Sequence, residues 1–216
     1  MTKHYQHIYG KAWNRVVSKG FRNPTIREMY LFGTKNDELK AERLMNYELA
    51  WNHRTSDITY GVNLFYIKGS NIIMQMPVSG GKRFMNTGEI ENWGIEAEIK
   101  YPFARYFNLT WNSSYLHMKN KVIAAPEKMS YLGIDYHQGK WFATLGLQCV
   151  EDLYTEVGAN ETKEGFYLLN ASAAYAAMKN VSLWARGENL LAQKYEINKG
   201  YPMPRATFMG GVSVNF

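Results

Sequence analysis

Glu96 and Glu98 stand two apart, and a carboxylate pair on one face is the simplest arrangement that could share acid–base work. On an extended strand, however, residues i and i+2 merely share a side. The same side carries Lys100 and, further on, Arg186 and Glu188, so mutual pairing of charges explains the set. No Ser/His/Asp or Cys/His constellation accompanies it, and no catalytic role is expected. His4, His7, His53, His117 and His137 could ligate haem or a metal, but they are scattered along the chain. Cys149 is the single cysteine, without CxxC or Cys/His ligand spacing. Met74, Met76 and Met85 share one connecting segment, where thioethers could touch an apolar chelate or a soft metal; loop packing is the simpler account. Neither a resident metal nor a cofactor is expected.

Three connections are basic and aromatic: Arg22, Arg27 and Tyr30 in the first, Lys82 and Arg83 in the second, Tyr195, Lys199 and Tyr201 in the last. Such surfaces suit flat, anionic molecules, and also serve solubility or contact with an anionic surface. The net charge of +6 is scattered among acidic residues, with no basic run interleaved with aromatics. Nucleic acid is therefore not an expected partner.

The elements that must position these residues are strands, because the chain alternates with period two. Ala206, Phe208, Gly210, Val212, Val214 and Phe216 oppose Thr207, Met209, Gly211, Ser213 and Asn215. Trp93, Ile95, Ala97, Ile99 and Tyr101 oppose Gly94, Glu96, Glu98 and Lys100, and Tyr47, Leu49 and Trp51 oppose Asn46, Glu48, Ala50 and Asn52. Each apolar row carries Tyr, Trp or Phe near its ends with smaller aliphatics between, as aromatic girdles at two lipid–water interfaces require. Aromatics make up 15% of the residues while mean hydropathy is −0.40, a combination that a lipid face averaged with a wet lumen produces. No run approaches the roughly 18 apolar residues of a membrane helix. A soluble sandwich with polar outer faces is the competing reading of alternation alone.

Connection lengths separate the two. Strands are expected at 5–19, 43–54, 57–68, 91–101, 106–118, 128–137, 140–152, 166–176, 180–189 and 206–216. Tight turns fall at 54–57, 102–105, 137–139 and 177–180, and long links at 20–42, 69–90, 119–127, 153–165 and 190–205. Short and long connections alternate strictly, as in an outer-membrane barrel with brief periplasmic turns and extended external loops. The fold class is all-β: an antiparallel up-and-down transmembrane β-barrel.

The stretch Glu188 to Arg205 (ENLLAQKYEINKGYPMPR), followed by a final strand, resembles the C-terminal end of TonB-dependent outer-membrane receptors. Lys19 to Leu31 (KGFRNPTIREMYL), Leu39 to Ala50 (LKAERLMNYELA) and Asn86 to Lys100 (NTGEIENWGIEAEIK) fit the same family in order and spacing. One departure is that Pro204 is followed directly by Arg205, where the family often has Pro-Gly-Arg.

The resemblance implies a barrel of about 22 strands with a plugged lumen, of which residues 1–216 would be the C-terminal part, about ten strands. No counterpart of the plug, TonB box or signal peptide is found in the sequence, so a truncated, split or excised product is expected. It also implies import of a ferric siderophore, haem, cobalamin or similar nutrient, with the TonB complex engaged only through the missing plug. The expected location is the cell outer membrane, and the other partners are its lipid and lipopolysaccharide and the barrel-assembly machinery, for which terminal Phe216 resembles the signal. Arg22, Arg27, Tyr30, Lys82, Arg83, Tyr195, Lys199 and Tyr201 become expected ligand contacts, and Glu96, Glu98, Arg186 and Glu188 lumen-facing groups that could meet the plug. A self-contained ten-stranded protein, omptin-like protease or passive porin, is the alternative. It would need carboxylate and histidine groups clustered at the outer rim, which the sequence does not supply if it is a protease.

Overall fold

In a computed structural model, residues 4–8, 10–31, 34–55, 57–79 and 81–215 are described. Lipid supplies no hydrogen bonds, so a chain built to cross it must pair every backbone group with a neighbouring strand. Eleven strands do so in one antiparallel sheet: β1 (His4–Ile8), β2 (Lys11–Arg22), β3 (Glu42–Arg54), β4 (Thr59–Val78), β5 (Gly81–Ala104), β6 (Phe107–Met118), β7 (Pro126–Gln138), β8 (Trp141–Glu156), β9 (Thr162–Met178), β10 (Val181–Glu188) and β13 (Thr207–Val214). Each pairs with its neighbours in sequence, leaving β1 and β13 at the two borders of an open sheet. A small hairpin, β11 (Glu196–Asn198) with β12 (Tyr201–Pro202), decorates the last long connection, and a single π turn (Arg27–Leu31) the first. No helix of the described residues is long and apolar enough to cross a membrane, which says nothing of crossing by strands.

The ten expected strands are present, with three boundary corrections. The segment expected as one strand over 5–19 turns at Gly10, whose φ of 71° suits glycine, so that β1 folds back on β2. The link expected over 69–90 is not a loop but the far end of the β4–β5 hairpin, paired from Ile72↔Gly88 out to Val78↔Gly81. A register shift between Gly69 and Ile72, with Asn71 at φ 59°, interrupts the alternation there and hid the strand. β8 and β9 likewise run on past a bulge at Asp152 (φ 54°), shortening the link expected over 153–165.

Register turns the sequence alternation into a continuous surface. Leu49, Leu64 and Ile95 stand side by side across β3, β4 and β5, and Trp111, Leu132, Leu147 and Leu169 across β6 to β9. Aromatic rings edge this field at the tight-turn end, where Trp13–Trp51 (6.2 Å), Trp51–Tyr60 (5.4 Å), Phe107–Tyr136 (5.0 Å) and Trp141–Tyr175 (4.7 Å) meet across strands. At the loop end Tyr47–Tyr66 (6.2 Å) and Trp93–Tyr115 (5.6 Å) form the second band. Trp93 and Tyr101 lie in opposite bands on one strand; their separation is roughly 27 Å along it, about 21 Å after a tilt of roughly 40°, near the height of a barrel's apolar belt.

The other face is polar and concave. On it, aromatic rings lie over glycines: Phe65 over Gly94, Tyr131 over both Gly133 and Gly146, and Trp184 over Gly211. A ring laid along the wall covers backbone that a side chain would otherwise shield. Gly94 is the tightest of these, since a Cβ there would meet the Phe65 ring and stand 2.5 Å from the Tyr115 carbonyl oxygen, whereas at Gly20 nothing lies within 4 Å. Gly94→Ala is expected to cost about 1–3 kcal/mol by overpacking, while Gly20→Ala leaves stability unchanged. The urea midpoint of the folded barrel in detergent measures both.

Candidate functional site

The loop end of the sheet gathers the basic and aromatic side chains expected as ligand contacts, and two constructions hold them. The first begins at Arg22, the last residue of β2. Its Nε and Nη2 donate to both oxygens of Glu42 at 2.6 and 2.8 Å, and Nη1 and Nη2 to Glu28 at 3.0 and 2.9 Å. Glu42 Oε1 also accepts the Ile73 N–H at 2.8 Å, beside the β4 bulge. Glu28 and Thr25 cap one another: Glu28 accepts from the Thr25 N–H and hydroxyl, and the Glu28 N–H donates to Thr25 Oγ1. One guanidinium thus ties the first long loop, the start of β3 and the β4–β5 hairpin together.

The loop is fastened again further out. Thr34 N–H donates to the Lys82 carbonyl, Asn36 Nδ2 to the Phe84 carbonyl, and Arg83 Nη2 to Asn36 Oδ1. Asn86 accepts the Lys40 N–H and donates to the Lys40 and Asn71 carbonyls, filling the gap that the bulge opens. Hydrogen bonding to Arg22, then to Thr25, holds the Glu28 carboxyl down at about 2, and the same guanidinium lowers Glu42; both raise Arg22 in turn.

The second construction is the connection after β10, which folds inward over β8 and β9. Tyr195 lies tilted against Phe166 at 4.1 Å and packs with Ile197 against buried Val150 and Leu153. Burial pushes the Tyr195 phenol up. Asn189 is the hub: buried, at φ 49°, its N–H donates to Asn170 Oδ1, its amide to the Gln193 and Pro204 carbonyls, and its Oδ1 accepts the Gln193 N–H.

Among the expected contacts, Lys82 and Arg83 therefore join Arg22 in one unit, together with exposed Arg27 and with Tyr30, which lies under Lys35. Tyr195, Lys199 and Tyr201 form another, several strands away; Lys199 pairs with Glu156, and Tyr201 is exposed. Glu96, Glu98, Arg186 and Glu188 lie on the polar face, where Asn63 donates to Glu96 (3.1 Å), Lys100 pairs with Glu98 (3.5 Å) and Arg186 with Glu188 (2.6 Å). Asn52, Asn63, Glu96, Glu98, Asn112 and Ser114 line a recess of about 480 Å³ there. His117 lies beside Trp93 at 5.4 Å on the apolar face, directed away from the interior. Phe216 lies outside the described residues. Among the described residues no three His, Cys, Asp or Glu side chains gather as a metal cage. Reading residue types missed Glu28, Glu42, Asn36, Asn86 and Asn189. Of these only Glu28 carries a local signal, the Thr-x-x-Glu capping pattern.

A family model described as TonB dependent receptor-like, beta-barrel matches residues 9–190. The pesticin receptor of Yersinia enterocolitica is 26% identical over 196 residues, covering 83% of this chain and 29% of that protein. The vitamin B12 transporter BtuB of Photobacterium profundum is 21% identical over 208 residues, covering 91% and 34%. The chain thus spans about a third of the length of these relatives. Among solved structures, the copper transporter OprC superposes with a TM-score of 0.82 at 18% identity, over 99% of this chain and 39% of that one. A ferric enterobactin receptor from Pseudomonas aeruginosa, solved with enterobactin, gives 0.82 at 17%, over 99% and 40%. At such identities the structures establish the fold alone.

Arg22→Gln is expected to strand the Glu42 carboxylate and speed exchange of the Ile73 amide about tenfold, whereas Glu28→Gln speeds it only about two- to threefold. Because the Glu28 pKa is depressed, its contribution is complete above about 4.5 and is lost as pH falls toward about 2. Amide exchange followed across that window, corrected for intrinsic rates, should show the first loop loosening in wild type and a smaller change, carried by Glu42, in Glu28→Gln.

Proposed function

The chain belongs to the TonB-dependent receptor β-barrel family, and on that footing we propose that it is the C-terminal part of an outer-membrane receptor barrel that imports a scarce nutrient. The supporting observation is the division of labour in the sheet. One face is apolar and aromatic-edged, the opposite face is polar, tight turns lie at one end, and cross-linked loops stand at the other. The relatives are named as receptors and transporters, not enzymes. Their printed cargoes differ, so the substrate class is kept broad: a ferric siderophore, haem, cobalamin or a comparable chelate.

In this reading the outer loops take the ligand first. Arg27, Tyr30, Lys82 and Arg83 on the first unit and Tyr195, Lys199 and Tyr201 on the second supply cations and flat rings to an anionic, planar cargo. Arg22 acts by positioning that unit through Glu28 and Glu42. Glu96, Glu98, Arg186 and Glu188 meet a plug domain that occupies the lumen and carries the contact with the TonB complex. The apolar face sits in the outer membrane of a Gram-negative cell, against lipid and lipopolysaccharide, and terminal Phe216 serves the barrel-assembly machinery.

The test uses a receptor containing this segment, expressed in cells limited for iron or cobalamin. Growth on one chelate of a panel is expected to require both the receptor and an intact TonB complex, and Tyr30→Ala with Lys82→Ala should weaken cargo binding about tenfold. Deleting Phe216 should lower the amount of barrel in the outer membrane. Uptake indifferent to TonB would mark a passive pore and overturn the proposal.

A further inference from the structure

The β4–β5 hairpin continues past the bulge, and its two strands put Met74 opposite Met85 and Met76 opposite Arg83. Which way this row points follows from the glycines below it. A Cβ at Gly69 would look onto Ile90, Ile72 and Leu44, and one at Gly88 onto Ile72 and the Met74 sulfur, so all of these share a side. Ile90 and Gly88 alternate in step with Gly94, which lies on the polar face under Phe65. Met74, Met76 and Met85 therefore extend the interior wall of the barrel above the membrane, at its outer mouth.

Loop packing does not account for them. Met74 is 48% exposed and Met76 36% exposed, on a regular hairpin rather than inside a folded loop. Directly opposed side chains have Cβ atoms about 5 Å apart and diagonal ones about 7–8 Å. Three thioethers on flexible, unbranched side chains can converge on a single atom across such distances. The row from Ile72 to Met76 and from Arg83 to Gly88 on this side holds no carboxylate and no imidazole. A hard divalent ion would find no ligand there, whereas thioether sulfur selects soft, low-charge metals.

We propose that Met74, Met76 and Met85 form a three-thioether site for a soft monovalent cation, Cu(I) or its surrogate Ag(I). Binding is by coordination alone, with no change in oxidation state. The neighbouring charge is Arg83, drawn toward Asn36 at 3.2 Å but still repelling a cation. This proposal is independent of which nutrient the receptor imports and does not require transport.

The chain in detergent micelles, with its strand content checked by circular dichroism, is titrated with Ag(I) against a competing chelator. One saturable equivalent is expected. Met74→Leu and Met85→Leu, which keep side-chain volume, should each weaken it at least about tenfold, and Met45→Leu, on the opposite face, should leave it unchanged. Arg83→Gln should tighten Ag(I) several-fold; a ligand held as an anion would respond in the opposite sense. X-ray absorption of the Cu(I) complex should show sulfur-only coordination. Absence of a saturable equivalent, equal affinity in Met74→Leu and Met85→Leu, or weaker binding in Arg83→Gln would overturn the site.

Discussion

Everything in this molecule follows from the cost of an unpaired backbone amide in hydrocarbon, several kcal/mol for each group left without a partner. Antiparallel neighbours joined by two-residue turns at Arg105–Tyr106, Gly139–Lys140 and Lys179–Asn180 satisfy that demand with little connecting chain at one end. Once the ladder is fixed, the pleat assigns side chains to lipid or lumen without further choice. Leu49, Leu64 and Ile95 thus become neighbours on one surface although they lie far apart in sequence.

Beyond the membrane the constraint changes. β4, β5, β8 and β9 run on past the aromatic band at the loop end, where strands need no ladder on both sides and bulges become tolerable. The β4 bulge is met by side chains that do what a neighbouring strand would have done. Glu42 takes the Ile73 amide, and Asn86 spans Lys40 and Asn71. Tyr154, buried beside the second bulge, donates its hydroxyl to Glu127 and lies under Lys121 and Lys163. The loop end therefore has a definite shape built from side chains, set on a wall built from backbone.

That distinction explains what could be read in advance. The wall was legible because period-two alternation is local: Trp93 to Tyr101 announces its strand, its face and both of its aromatic ends. Alternation failed at Asn71 and Asp152, where one extra residue with positive φ reverses the sense of the residues that follow it. It also failed around Gly10, where the chain turns back between Ile8 and Lys11. The clasp around Arg22 was not legible, since Glu42 and Ile73 reach it through register rather than through spacing. Asn189 could be quoted as part of a family stretch, but its role as a fourfold hydrogen-bond hub needed coordinates. Nothing in residue types alone could separate methionines that fill a loop from methionines that stand along a mouth.

The borders of the sheet carry one more implication. Strands alternate in heading, and with eleven of them β1 and β13 run the same way. Joining these two margins directly would create a parallel seam in an otherwise antiparallel cylinder, and two copies arranged end to end would create two such seams. An all-antiparallel enclosure therefore calls for an odd number of intervening staves, whichever polypeptide contributes them.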